Sequence, residues 1–100
     1  MQLEWTRGAQ RNLDLIESYI AQDNPTAAAK TVLKIIKRTF AQLSKHPSSG
    51  KPGRIDGTRE LIFTEFPYIV IYTIRQETIF IIQVFHTAQD IENIQAGIRS

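Results

Sequence analysis

Two long amphipathic patterns followed by three strand patterns place this sequence in the α+β class, as a helical hairpin packed on one face of a small antiparallel sheet. Three observations carry that expectation. Apolar residues recur at helical spacing from Ala9 to Leu43, interrupted only around Asp23-Asn24-Pro25. From Thr58 to His86 the pattern changes to β-branched and aromatic runs separated by short polar breaks. The whole chain is 100 residues, the size of one domain. The expected order is strand, helix, helix, strand, strand, strand, with a short helix after.

Gln2-Leu3-Glu4-Trp5 alternates polar and apolar, which suits a short strand burying Leu3 and Trp5. Thr6 is placed to cap a helix whose inward face is Ala9, Leu13, Ile16 and Ile20, widened by Leu15 and Tyr19. Asn24 caps a second helix, with Pro25 at its first position, where no N–H is needed. That helix runs to about Lys45. Ala29, Val32 or Leu33, Ile36, Phe40 and Leu43 are expected inward, and Lys30, Lys34, Lys37 and Arg38 on other sides. Two helices joined so tightly are antiparallel neighbours.

His46 to Gly53 is too rich in proline, glycine and serine for a helix or a central strand. Strands are expected at Thr58–Phe63, Tyr68–Ile74 and Thr78–His86. The last two are apolar on both faces, so both should be central. The turn at Arg75-Gln76-Glu77 lacks the glycine of a tight two-residue hairpin. Beyond it, Ile91, Ile94 and Ile98 follow a possible Asp90 cap at helical spacing.

Composition narrows the function classes. With 42% hydrophobic and 22% charged residues the chain is an ordinary globular one. It has no cysteine and only His46 and His86, so no disulfide framework, metal site or cofactor is expected. No apolar run approaches the ~20 residues of a membrane span, and a cytoplasmic protein is the expectation. The net charge of +2 is uneven: residues 1–50 hold seven Lys/Arg against four Asp/Glu, and residues 51–100 five against six. The basic excess, from Lys30 to Arg59, suits nucleic acid or an acidic protein segment as partner.

Lys51, Arg54 and Arg59 stand close together where the long loop enters the sheet, and they look like a site for something anionic. A plainer reading exists for each residue. Arg59 pairs with Glu60, Glu65 or Asp56 across the hairpin, a surface contact of little energetic weight. His86 is a hydrogen-bonded structural residue, and Tyr68 and Tyr72 pack on the helices. Gly53 and Gly57 serve turns with positive φ.

Six motifs in register resemble the RelE/ParE superfamily of type II toxins. They are E-W-T near the start, N-P at Asn24-Pro25, A-A-A-K at Ala27–Lys30, G-K-P-G-R-I-D-G-T-R-E-L at Gly50–Leu61, F-P-Y-I-V-I-Y at Phe66–Tyr72 and V-F-H-T-A-Q at Val84–Gln89. The resemblance implies a growth-inhibiting toxin, of the kind tied to plasmid stabilisation, neutralised by a cognate antitoxin in a toxin–antitoxin hetero-oligomer. One branch, like RelE, implies a ribosome-dependent endoribonuclease acting on mRNA. Such a nuclease would draw on Lys51, Arg54, Arg59 and His86 as catalytic residues. The Tyr of that constellation is absent, because Thr87-Ala88-Gln89 follows His86. Glu60 as a base would lie on the opposite face from Arg59.

The other branch, like ParE, implies inhibition of DNA gyrase, with the same four residues as target-binding groups. G-T-R-E-L, P-Y-x-V-x-Y and the ending around His86 place this chain closer to that branch. Lys34, Lys37 and Arg38 are the residues expected to meet the antitoxin. A third possibility is a binding module that keeps the fold without toxicity.

Overall fold

The computed structural model describes residues 1–88. The expected helix with Asp90, Ile91, Ile94 and Ile98 lies outside the described residues. In chain order the elements are β1 (Gln2–Trp5), α1 (Arg7–Ala21), α2 (Pro25–Lys45), β2 (Lys51–Pro52), β3 (Arg59–Ile62), β4 (Tyr68–Arg75) and β5 (Thr78–His86). They form the expected α+β arrangement, with one five-stranded sheet ordered β1-β5-β4-β3-β2. As their two apolar faces required, β4 and β5 are interior strands. The sheet is mixed, because β1 runs parallel to β5 while the other neighbours are antiparallel.

Both helix starts are capped as the sequence suggests. Thr6 Oγ1 accepts the Ala9 N–H at 3.2 Å, and Asn24 Oδ1 accepts the Ala27 N–H at 3.1 Å. Thr6 also donates its hydroxyl to the Ile81 carbonyl at 2.8 Å, which pins the start of α1 to β5. Beyond the end of β1, the Val84 N–H donates instead to Asn12 Oδ1 at 3.0 Å. A side chain from α1 thus completes the ladder where the edge strand stops.

The core lies between the helices and one face of the sheet. Leu13 from α1 and Ile35 and Leu43 from α2 pack with Leu61, Val70, Tyr72, Ile79, Ile81 and Val84. On α2 the expected inward stripe holds at Val32, Ile36 and Leu43, all in or packed against the core, and shifts at its other positions. The buried positions are Ala28, Ile35, Thr39 and Leu43, with Val32 half-buried, whereas Leu33 is 50% exposed and Phe40 60% exposed. Ala29 is also exposed. One residue is ~100° about a helix axis, so two stripes compete here. The stripe that faces inward carries the small Ala28 and Thr39 beside the large Ile35 and Leu43. On α1, Leu15 and Tyr19 do not widen the core face; they point outward, 62% and 76% exposed.

On the opposite face of the sheet Ile69, Ile71 and Phe85 form a second apolar cluster, with Ile55 packed against it. The turn between β4 and β5 is tight despite having no glycine. Gln76 and Glu77 both take positive φ, 48° and 66°, the conformation a two-residue type I′ hairpin demands. Of the two glycines expected at positive φ, only Gly57 has it, at 76°. Gly53 serves close approach instead, since a Cβ there would collide with the Thr58 side chain.

Candidate functional site

β3 is half-exposed at Arg59 and buried at Glu60, and strand alternation sends these neighbours to opposite faces of the sheet. Each ties down one half of the 46–58 loop. On the helix side, the Arg59 guanidinium donates through Nη1 to the carbonyls of Gly50 at 2.8 Å and Ser48 at 3.2 Å. Tyr72, the Cα partner of Arg59 on β4, is completely buried. Its hydroxyl donates to the Pro47 carbonyl at 2.8 Å and accepts the Gly50 N–H at 2.9 Å. Burial pushes this hydroxyl above its ordinary pKa of 10.0, and the Gly50 N–H and the Arg59 charge pull it partly back. Gly50 is required by this contact. A Cβ there would stand 2.7 Å from the Tyr72 oxygen and 2.8 Å from its ring.

On the other face, Glu60 Oε2 accepts the Arg54 N–H at 2.9 Å, and Arg54 Nε lies 3.3 Å from the same oxygen as an ion pair. The Glu60 side chain is 0% exposed and that of Arg54 47%. Among the described residues, Glu60 Oε1 is buried without a hydrogen-bond partner. The loop between them is closed by its own bonds: Gly53 N–H to the Thr58 carbonyl at 2.8 Å, and Thr58 N–H to the Ile55 carbonyl at 3.1 Å. Thr73 adds a hydroxyl bond to the Gly57 carbonyl at 2.8 Å. Lys51 is exposed and is the Cα partner of Glu60, so both side chains leave on the same face.

His86 stands at the other end of the sheet. It is the Cα partner of Tyr68 and meets that ring edge-on at 5.4 Å. Its Nδ1 accepts the Ala88 N–H at 3.0 Å, which leaves any ring proton on Nε2. Together with Leu15, Ile16, Tyr19, Ile20 and Tyr68 it lines an apolar groove of about 640 Å³ beside α1.

The four expected site residues therefore do not converge. Lys51 and Arg54 share one face, and Arg59 lies at the same edge but on the other. Arg59 pairs with Tyr72 and His86 with Tyr68, so they stand two strands and four residues apart. With strands ~4.8 Å apart and a rise of ~3.3 Å per residue, their Cα atoms are about 16 Å apart. Arg59 meets the Ser48 and Gly50 carbonyls while His86 meets the Tyr68 ring and the Ala88 N–H, so the two side chains have separate partners. The expected Arg59 partners are also reassigned: Glu60 pairs with Arg54, and Glu65 pairs with Arg38 at 2.9 Å. The Arg38 hydrogen bond holds the Glu65 carboxyl below its usual 4.5. Of the residues expected to meet an antitoxin, Arg38 also lies over the Phe63 ring and Lys34 over the Phe66 ring. Lys37 is exposed beside Leu33 and Phe40.

The Tyr72 hub was not singled out in the sequence, though a signal was present. A tyrosine in the middle of an all-apolar central strand must find a partner for its hydroxyl when buried.

Comparison with known proteins defines the family. The profile for the ParE toxin of the type II toxin–antitoxin system parDE matches residues 3–91. A Sinorhizobium fredii protein named Putative toxin Y4kP is 44% identical over 87 residues, covering 87% of this chain and 88% of that protein. This chain is a ParE-family toxin. Its fold matches the solved chromosomal ParDE system of P. aeruginosa with a TM-score of 0.76 at 27% identity, covering 86% of the toxin and 95% of that chain. The RelBE2 toxin–antitoxin complex of Mycobacterium tuberculosis follows at 0.61 and 26% identity, covering 85% and 95%. The isolated E. coli RelE toxin shares the fold at 0.55 and 14% identity, covering 98% of the toxin and 96% of that chain. Among the toxin's described residues, no helix is long and apolar enough to cross a membrane.

Proposed function

We propose that this toxin inhibits growth as a DNA gyrase inhibitor and is neutralised by a cognate antitoxin. The observation that carries this reading is the separation of Arg59 from His86. Ribonucleolytic cleavage requires a base, an acid and a charge-stabilising group around one phosphate. Here Arg59 is engaged with loop carbonyls, and His86 belongs to a groove at the other end of the sheet. A surface that binds a protein target has no such requirement, since its residues contribute singly across a patch. The competing reading is ribosome-dependent mRNA cleavage, which the RelE side of the motif resemblance implies.

The antitoxin surface in this reading is the outer stripe of α2. Leu33 and Phe40 leave apolar area uncovered, and Lys30, Lys34 and Lys37 are exposed on the same helix. An amphipathic segment with an acidic side suits that combination. The solved ParDE and RelBE2 assemblies are toxin–antitoxin systems, which supports a partner of this class.

The test is expression without antitoxin, followed by gyrase supercoiling and ribosome-dependent mRNA cleavage assays on the purified toxin. Inhibited supercoiling with intact mRNA is the expected result. Cleaved mRNA that stays intact with the His86→Ala variant would replace gyrase by the ribosome. A purified toxin inactive in both assays, and harmless on expression, would leave the binding-module reading.

A further inference from the structure

We infer that Glu60 is a positioning residue that aims Arg54, with Lys51 on the same face, at a carboxylate of the protein target, an inference that rests on the gyrase reading above. Its basis is the contrast between two halves of one ion pair. Glu60 is wholly buried, yet its charged partner is half in solvent. A carboxylate is costly to bury unless it holds donors in place. Here one oxygen takes both the backbone N–H and the Nε of Arg54. Two attachments to one residue fix the start of that side chain as well as its backbone. The rest of the Arg54 side chain is 47% exposed and open to a second molecule.

The surroundings are built for rigidity. The loop closes on itself through Gly53, Ile55 and Thr58. Ile55 packs on the second apolar cluster, which anchors the loop over the sheet. Lys51 is held beside this unit by its register with Glu60. Two cations on one face, one of them with a planar fork tied through Nε to Glu60, suit a carboxylate better than a diffuse surface charge does. Preorganisation of this kind raises affinity because little side-chain freedom is lost on binding.

The experiment is inhibition of purified DNA gyrase by the full chain, with Glu60→Gln, Arg54→Lys and the double variant. Glu60→Gln keeps an acceptor for the Arg54 N–H and removes the charge that holds Nε. Arg54→Lys keeps the charge and removes the fork, at an exposed position where folding is not at risk. Each should raise the inhibitory concentration about tenfold, and the double variant should do no worse than either alone, as for residues acting through one contact. Antitoxin affinity and melting temperature should stay at the wild-type values. Effects that multiply to about a hundredfold, or that lower antitoxin affinity equally, would make Glu60 a general structural residue and overturn the inference. Variants that match the wild type within twofold would overturn it alone. A wild-type chain that leaves gyrase untouched would overturn the gyrase reading and this inference with it.

Discussion

The loop from residue 46 to 58 and the outer face of α2 are opposites in how they treat their unsatisfied groups. In the loop, an irregular stretch rich in glycine and proline, backbone groups are paired by Tyr72, Arg59, Glu60 and Thr73 from the sheet. On α2, a regular helix leaves Leu33 and Phe40 uncovered. Regularity and completeness are thus separate properties. The loop's backbone groups find their partners within the chain, whereas the helix face leaves the apolar side chains of Leu33 and Phe40 exposed.

The contrast on α2 can be broken first by truncation. Leu43→Ala removes a fully buried side chain from the core and should cost about 2–5 kcal/mol. Phe40→Ala should change stability by no more than about 0.5 kcal/mol, because an exposed helix position carries little packing energy and Ala is the better helix former. Urea unfolding of the two variants checks this, and equal losses would mean that Phe40 is packed after all.

The completeness of the loop is tested at its hub. Tyr72→Phe strands the Gly50 N–H and the Pro47 carbonyl and should cost roughly 2–4 kcal/mol, as for two buried groups left unpaired. It should also change the alkaline limb of stability. Because the folded-state pKa of Tyr72 is raised above 10.0, its contribution is complete below that pH and is lost as pH rises through the folded value. Stability measured from pH 9 to 12 should therefore fall less steeply in Tyr72→Phe than in the wild type.

Thr39 sharpens the same comparison from within the core. Its hydroxyl is buried without a partner among the described residues, so Thr39→Val should be neutral or stabilise by up to about 1 kcal/mol. A loss of more than that in thermal unfolding would show that the hydroxyl has a bond.

Charge at the edge of the α2 stripe should matter least. Lys37→Glu should slow antitoxin association several-fold at low salt while leaving dissociation nearly unchanged. Unchanged stopped-flow association rates would move the interface elsewhere.

Much of this was legible in the sequence, and the exceptions share a cause. The order of elements, both helix caps and the two interior strands follow from residue patterns that act locally. The helix stripe followed at Val32, Ile36 and Leu43 but not at Phe40, which outweighs Thr39 in hydrophobicity although Thr39 takes the buried position. The turn at Gln76-Glu77 lacks glycine, so its left-handed conformation left no mark in composition. The site was half legible. Lys51, Arg54 and Arg59 cluster in sequence and do meet at one sheet edge, but which face each takes depended on pairing across strands. His86 was drawn into the same site by motif order, and the register of β4 with β5 puts it at the far end.

Gyrase supercoiling with Lys51→Ala and Phe40→Ala, each with and without antitoxin, tests the division of labour between loop and helix most directly. The account predicts that Phe40→Ala inhibits like the wild type yet escapes neutralisation, while Lys51→Ala inhibits at least fivefold less, as for the loss of a hot-spot contact of about 1 kcal/mol or more, and is still bound by antitoxin. Inhibition lost in Phe40→Ala and retained in Lys51→Ala would contradict it.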